Sequence, residues 1–110
     1  MAVLTICVSL TSMLIVIAGC GRVGSDLARS LSEPGHDVCV VEEDAKKLKK
    51  LGMAFDGSRE VGLPYDVETL RRGGIESAHA FVAVTNSDNQ NLMAVQFVLV
   101  GFLFSWVRGR

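Results

Sequence analysis

Met13-Leu-Ile-Val-Ile-Ala-Gly-Cys-Gly-Arg-Val-Gly24 is the stretch that decides the fold of this 110-residue chain. Six apolar residues run without interruption into three glycines spaced G-x-G-x-x-G. A short, unbroken apolar run closed by a glycine turn reads as a strand buried on both faces, as in a parallel sheet. Val23, Leu27 and Leu31 then recur at i, i+4 and i+8, while Asp26, Arg29 and Ser30 fall on other faces. That spacing predicts an amphipathic helix, which Pro34-Gly35 terminates. The glycine spacing carries meaning only in this setting, with a strand before it and a helix opening within it.

The alternation continues along the chain. Val38–Val41 is a second buried strand, ending on Glu42-Glu43-Asp44. Asp44 is placed to cap a second helix, with Ala45, Leu48 and Leu51 inward, its lysines in water and Gly52 closing it. A weaker third strand is expected around Arg59–Gly62, after the Asp56-Gly57 turn. A short helix over Asp66–Arg72 follows, with Val67 and Leu70 inward and Gly73-Gly74 at its end. Ala80–Val84 is a fourth buried strand, and Ser87 or Asp88 caps a helix beginning near Asn89. The order β-α-β-α-β-α-β-α, with crossovers long enough to be right-handed, predicts an α/β fold. It is a Rossmann-like doubly wound parallel sheet, truncated after the fourth strand and its helix. The expected divisions are an apolar extension over 1–12, a nucleotide-binding domain over 13–97, and an apolar tail over 98–110.

Each glycine of the turn has a physical task. Gly19 permits the tight turn, Gly21 lets backbone approach a pyrophosphate, and Gly24 lets helix and strand pack closely. The candidate pyrophosphate-binding segment is therefore Gly19, Cys20, Gly21, Arg22, Val23 and Gly24, at the positive end of the helix dipole. Glu42 stands at the end of the second strand, twenty-three positions after Gly19. An acidic ribose ligand is expected about 20 residues on. A carboxylate there accepts from ribose hydroxyls and repels a 2′-phosphate, which favours NAD(H) over NADP(H). Glu43 competes for the role, and a solvated acidic loop pairing with Lys46 and Lys47 is the plain alternative. Thr85-Asn86 follows the fourth strand, where a doubly wound sheet places its ligand. It reads equally as an ordinary loop capping the next helix.

Other classes find little support. The net charge is -1, and the basic runs Lys46–Lys50 and Arg71-Arg72 read as solvated helix faces, so no nucleic-acid partner is expected. Cys7, Cys20 and Cys39 have no metal spacing and suit a reducing compartment. Cys20, at a helix N-terminus, is either a reactive thiol or a small residue tolerated in the turn. His36 and His79 fall at the wrong end of the sheet and read as surface histidines. No catalytic set emerges.

Taken together, Ile-Ala-Gly-Cys-Gly-Arg-Val-Gly (17–24), Gly-His-Asp-Val-Cys-Val-Val-Glu (35–42), Glu-Thr-Leu-Arg-Arg-Gly-Gly-Ile (68–75) and Ala-Phe-Val-Ala-Val-Thr-Asn-Ser-Asp-Asn-Gln-Asn-Leu-Met (80–93) resemble the N-terminal domain of TrkA-type proteins. These are the RCK or KTN domains that regulate bacterial potassium uptake. The resemblance implies a regulatory, non-catalytic domain, cytoplasmic and peripheral at the inner face of the cell membrane. It implies NAD(H) as effector, or ATP or ADP as in some relatives. The implied partners are a membrane potassium-translocating subunit and further copies of the chain. Carried onto this sequence, the turn is Gly19 to Gly24, the ribose carboxylate is Glu42, and the pocket loop holds Thr85 and Asn86. Three departures stand out. Gly62-Leu63-Pro64-Tyr65 replaces the Gly-Asp-Ala-Thr of many relatives. Met13 would be the natural start, and the chain stops before the remaining strands.

Hydrophobic residues make up 49% of the chain, with a mean hydropathy of +0.36, and the excess sits at the ends. Leu92–Val107 as a helix spans about 24 Å, short of a hydrocarbon core of about 30 Å. A buried fourth helix, or a departure of the reading frame near Phe97, accounts for it; a soluble domain with apolar ends is favoured over a membrane protein. Two other readings remain: a truncated NAD-dependent oxidoreductase lacking its substrate domain, and a non-functional fragment whose fourth strand is an open edge.

Overall fold

The computed structural model describes residues 4–7, 13–33 and 35–108. Residues 1–3 and 8–12 of the expected extension, and 109–110 of the tail, lie outside the described residues. Five strands form one sheet: β1 (Leu4–Cys7), β2 (Leu14–Ala18), β3 (Asp37–Glu42), β4 (Ser58–Val61) and β5 (Ala80–Ala83), in the order β1-β5-β2-β3-β4. The helices are α1 (Arg22–Ser32), α2 (Ala45–Lys49), α3 (Val67–Arg72) and α4 (Asp88–Arg108), with a 3-10 turn over Ile75–Ser77.

β2 to β5 are parallel, with Val16 opposite Cys39 on one side and Phe81 on the other. The alternating side chains of β2, β3 and β5 feed two cores. Ile15, Ile17, Val38 and Val40 point to the face where Val23, Leu27 and Leu31 of α1 and Leu48 of α2 pack. Val16, Ala18, Cys39, Val41 and Phe81 point to the opposite face, against Leu70 of α3 and Ala94 and Val98 of α4. Strands covered on both faces need apolar residues at every position, which explains their unbroken runs. The expected doubly wound α/β sheet is present.

The sheet edge differs from expectation. β1 pairs antiparallel with β5, Leu4 opposite Ala83 and Cys7 opposite Ala80, so the fourth parallel strand is not an open edge. β1 lies where a doubly wound sheet would carry its next parallel strand. Two inward assignments also fail. Ala45 is exposed and Val67 is 45% exposed, because helices of five and six residues cover the sheet with barely one turn. Asp44 and Asp66 do cap these helices, accepting from Lys46 N–H and Thr69 N–H respectively. The Thr69 hydroxyl, donating at 2.6 Å, and then the Thr69 N–H hold the Asp66 carboxyl below its usual range.

Both histidines anchor the central strand. The Met13 N–H donates to His36 Nδ1 and the Leu14 N–H to His79 Nδ1, each at 3.0 Å. They are half-buried acceptors rather than plain surface residues. α4 runs unbroken through Phe97 for 21 residues. No helix among the described residues is long and apolar enough to cross a membrane.

Candidate functional site

A cleft of about 240 Å³ opens at the carboxyl ends of β2, β3 and β5, where the strand order reverses. Its walls are the Gly19–Gly21 turn, Val41–Glu43 at the end of β3, and the Val84–Ser87 loop after β5; Lys47, Pro64 and Gln90 complete the rim.

The glycine turn is held by backbone. Gly19, at φ +113°, donates its N–H to the Val41 carbonyl at 2.8 Å. A Cβ on Gly19 would lie 2.9 Å from Thr85 N and from the Val84 carbonyl, so turn and loop touch directly. A Cβ on Gly24 would run into the Gly19 carbonyl oxygen, which is the close packing of helix on turn. Gly21 has open space around it, the nearest atom being Asn86 Oδ1 at 3.9 Å from the same imagined Cβ. Gly21 caps α1 with no side chain to accept the first-turn N–H groups. The open space that a Cβ at Gly21 would enter, beside those N–H groups, fits a phosphate group.

The structure brings Gly19, Cys20, Gly21, Glu42, Thr85 and Asn86 together on the cleft. Arg22, Val23 and Gly24 form the first turn of α1 behind it. Val23 packs into the core, and Arg22 is exposed and outside the cleft lining. Glu42 is buried but not idle. Its Oε1 accepts from the Cys20 N–H at 2.8 Å and its Oε2 from the Asp44 N–H at 3.0 Å. The carboxylate therefore ties the glycine turn to the N-terminus of α2. With about four lone-pair sites on a carboxylate, those two bonds leave acceptor capacity for a ligand. No ion pair joins Glu42 or Glu43 to Lys46 or Lys47 among the described residues. Glu43 is exposed on the same wall.

Cys20 is 4% exposed, and its thiol donates to the Lys47 carbonyl at 3.4 Å. Burial, and then the Glu42 charge, push its pKa up. A tethered, protonated thiol is a poor nucleophile, so the geometry favours a small buried side chain over a reactive one. No group of three or more potential metal ligands occurs among the described residues.

The loop after β5 serves both expected purposes. Thr85 and Asn86 line the cleft, while Ser87 Oγ accepts from the Gln90 N–H at 3.2 Å at the start of α4. Asn91 escaped the sequence reading. It is fully buried and bonded to Thr85, and its signal was a polar residue in register with the apolar Ala94 and Val98. Pro64, in the segment that departs from Gly-Asp-Ala-Thr, forms a buried apolar part of the wall.

Comparison with known proteins agrees with this architecture. The family model of the TrkA-N domain matches residues 15–101. The Trk system potassium uptake protein TrkA of Streptomyces coelicolor is 49% identical over 84 residues, which are 76% of this chain and 38% of that protein. A TrkA homolog of Pyrococcus horikoshii is 35% identical over 82 residues, 74% of this chain and 36% of its own length. That of Archaeoglobus fulgidus is 40% identical over 82 residues, 74% of this chain and 18% of its length. The chain thus spans less than two fifths of each of these relatives. β1 precedes the matched segment, whereas the glycine turn, Glu42 and the Thr85-Asn86 loop all fall inside it. This chain belongs to the TrkA-N domain family.

Proposed function

We propose that this chain is the nucleotide-sensing regulatory module of a Trk- or Ktr-type potassium uptake system. NAD(H) is the effector and not a redox substrate; ATP or ADP is the alternative ligand. The observation that carries the reading is the cleft in which glycine-turn backbone and a buried carboxylate face the same space. In it, Gly19 to Gly24 hold the pyrophosphate through N–H groups at the start of α1. Glu42 accepts from the ribose hydroxyls with its remaining lone pairs, and Thr85 and Asn86 close the far wall. Arg22 and Val23 contribute through their backbone N–H groups, and Cys20 by holding Glu42 through its own.

Binding here regulates by bias. A nucleotide with different affinities for two arrangements of the assembly shifts the balance between them, and an indifferent one shifts nothing. The partner is a membrane potassium-translocating subunit, reached from the cytoplasmic face by a homo-oligomer of such modules. The names of the relatives, Trk system potassium uptake proteins, support the link to potassium uptake.

Calorimetry with NADH, NADPH and ATP tests the proposal. NADH is expected to bind at least about tenfold more tightly than NADPH, because Glu42 repels a 2′-phosphate. In Glu42→Ala that preference should shrink to about threefold or less. A folded wild-type sample that binds no nucleotide sinks the reading, and a preference unchanged in Glu42→Ala removes the ribose role. Hydride transfer to any substrate would instead favour an oxidoreductase.

A further inference from the structure

Asn91 lies on the inward face of α4, with none of its surface exposed. A carboxamide in that setting must find partners, and Asn91 bonds Thr85 at three points. Its Oδ1 accepts from the Thr85 N–H at 2.7 Å and from the Thr85 hydroxyl at 2.6 Å. Its Nδ2–H donates to the Thr85 carbonyl at 3.2 Å. The Thr85 hydroxyl oxygen in turn accepts from the Ser87 N–H at 3.2 Å. One side chain thus grips the backbone of Thr85 on both its donor and its acceptor.

The gripped backbone is the part of the loop that presses on the glycine turn. Thr85 N and the Val84 carbonyl are the atoms that a Cβ on Gly19 would meet at 2.9 Å. The neighbouring Asn86 side chain is the nearest group to the open side of Gly21. We infer that Asn91 is a positioning residue of the nucleotide site: it fixes the loop against Gly19 and so sets the spacing around the pyrophosphate. This role rests on the nucleotide reading given above. Asn suits the position because one short planar group both accepts and donates. Leucine fills the volume and does neither. Aspartate keeps the acceptor and, when ionised, sets a negative oxygen against the Thr85 carbonyl.

The role predicts which part of a ligand suffers. The loop packs on the turn, whereas Glu42 ends β3, on the far side of β2 from β5, so the loss falls on phosphate contacts and spares the nucleoside. Full-length wild type, Asn91→Leu and Asn91→Asp are titrated with NADH and with adenosine, following the amide signals of Gly19 and Gly21 by NMR. In Asn91→Leu, NADH affinity should fall at least tenfold while adenosine affinity stays within twofold. Asn91→Asp, which perturbs the site less if the leucine variant does not fold, should show the same split in smaller degree. NADH affinity unchanged in a folded variant, or equal weakening of both ligands, overturns the role of Asn91 and leaves the nucleotide reading standing. Wild type that binds neither ligand overturns the nucleotide reading, and this role with it.

Discussion

Gly19 and Gly35 separate two costs that a glycine can conceal. Both have positive φ, +113° and +97°, where an L side chain is strained. Around Gly35 nothing lies within 4 Å of an added Cβ, whereas at Gly19 the Val84–Thr85 backbone lies 2.9 Å away. Gly35→Ala should therefore cost about 1–2 kcal/mol, the backbone strain alone. Gly19→Ala should cost at least about 2 kcal/mol more, since two backbone segments must part, and it should abolish nucleotide binding. Denaturant midpoints of the two variants check this; equal losses would mean that the turn and the loop do not bear on each other. At this scale the glycine triplet was legible because each position answers a backbone requirement visible in three or four neighbours. Glu42 was legible from its spacing, but not its bonds to the Cys20 and Asp44 N–H groups, which depend on how the turn closes. Asn91 was not legible, because its role depends on burial and on a partner in a loop.

Among the elements, β1 and the pair of histidines hold the sheet together at places a sequence describes poorly. β1 covers the edge of β5 with a four-residue antiparallel strand, and an uncovered edge is a template for association. Removing residues 1–12 should lower the unfolding midpoint and raise the associated fraction in size-exclusion chromatography. A shortened chain as stable and as monodisperse as the full one would show that β1 contributes nothing. β2, β3 and β5 were legible because strands buried on both faces leave unbroken apolar runs, punctuated by glycine, proline and aspartate, whereas β4, mostly exposed over Ser58–Val61, showed only as a weak strand after the Asp56-Gly57 turn. β1 was not, because its pairing partner lies at the far end of the chain and no local pattern names it. The inward-facing assignments of Ala45 and Val67 failed for a related reason: one turn of helix has no period to read. His36 and His79 were placed at the correct end of the sheet, yet their work as acceptors for the first N–H groups of the central strand shows only in three dimensions.

For the whole molecule, ligand and fold should be coupled. A nucleotide that binds only the native state adds about 2.7 kcal/mol of stability at one hundred times its Kd. For a chain of this size NADH at that level should raise the unfolding midpoint by roughly 10 °C or more, at about 4–8 °C per kcal/mol. A midpoint indifferent to NADH, NADPH and ATP would argue against the cleft as a nucleotide site. The topology was legible because right-handed crossovers leave few ways to order parallel strands, and the cleft follows from where that order reverses. The antiparallel edge follows from neither rule, and it has a consequence in time. Leu4 is paired with Ala83, so β1 can settle only after the last parallel strand has been synthesised. At about 5–20 residues per second, β1 waits several seconds for its partner. During that interval the growing chain carries an unpaired β1 and an open edge on β2, a window in which a chaperone or a neighbouring nascent chain competes for β1.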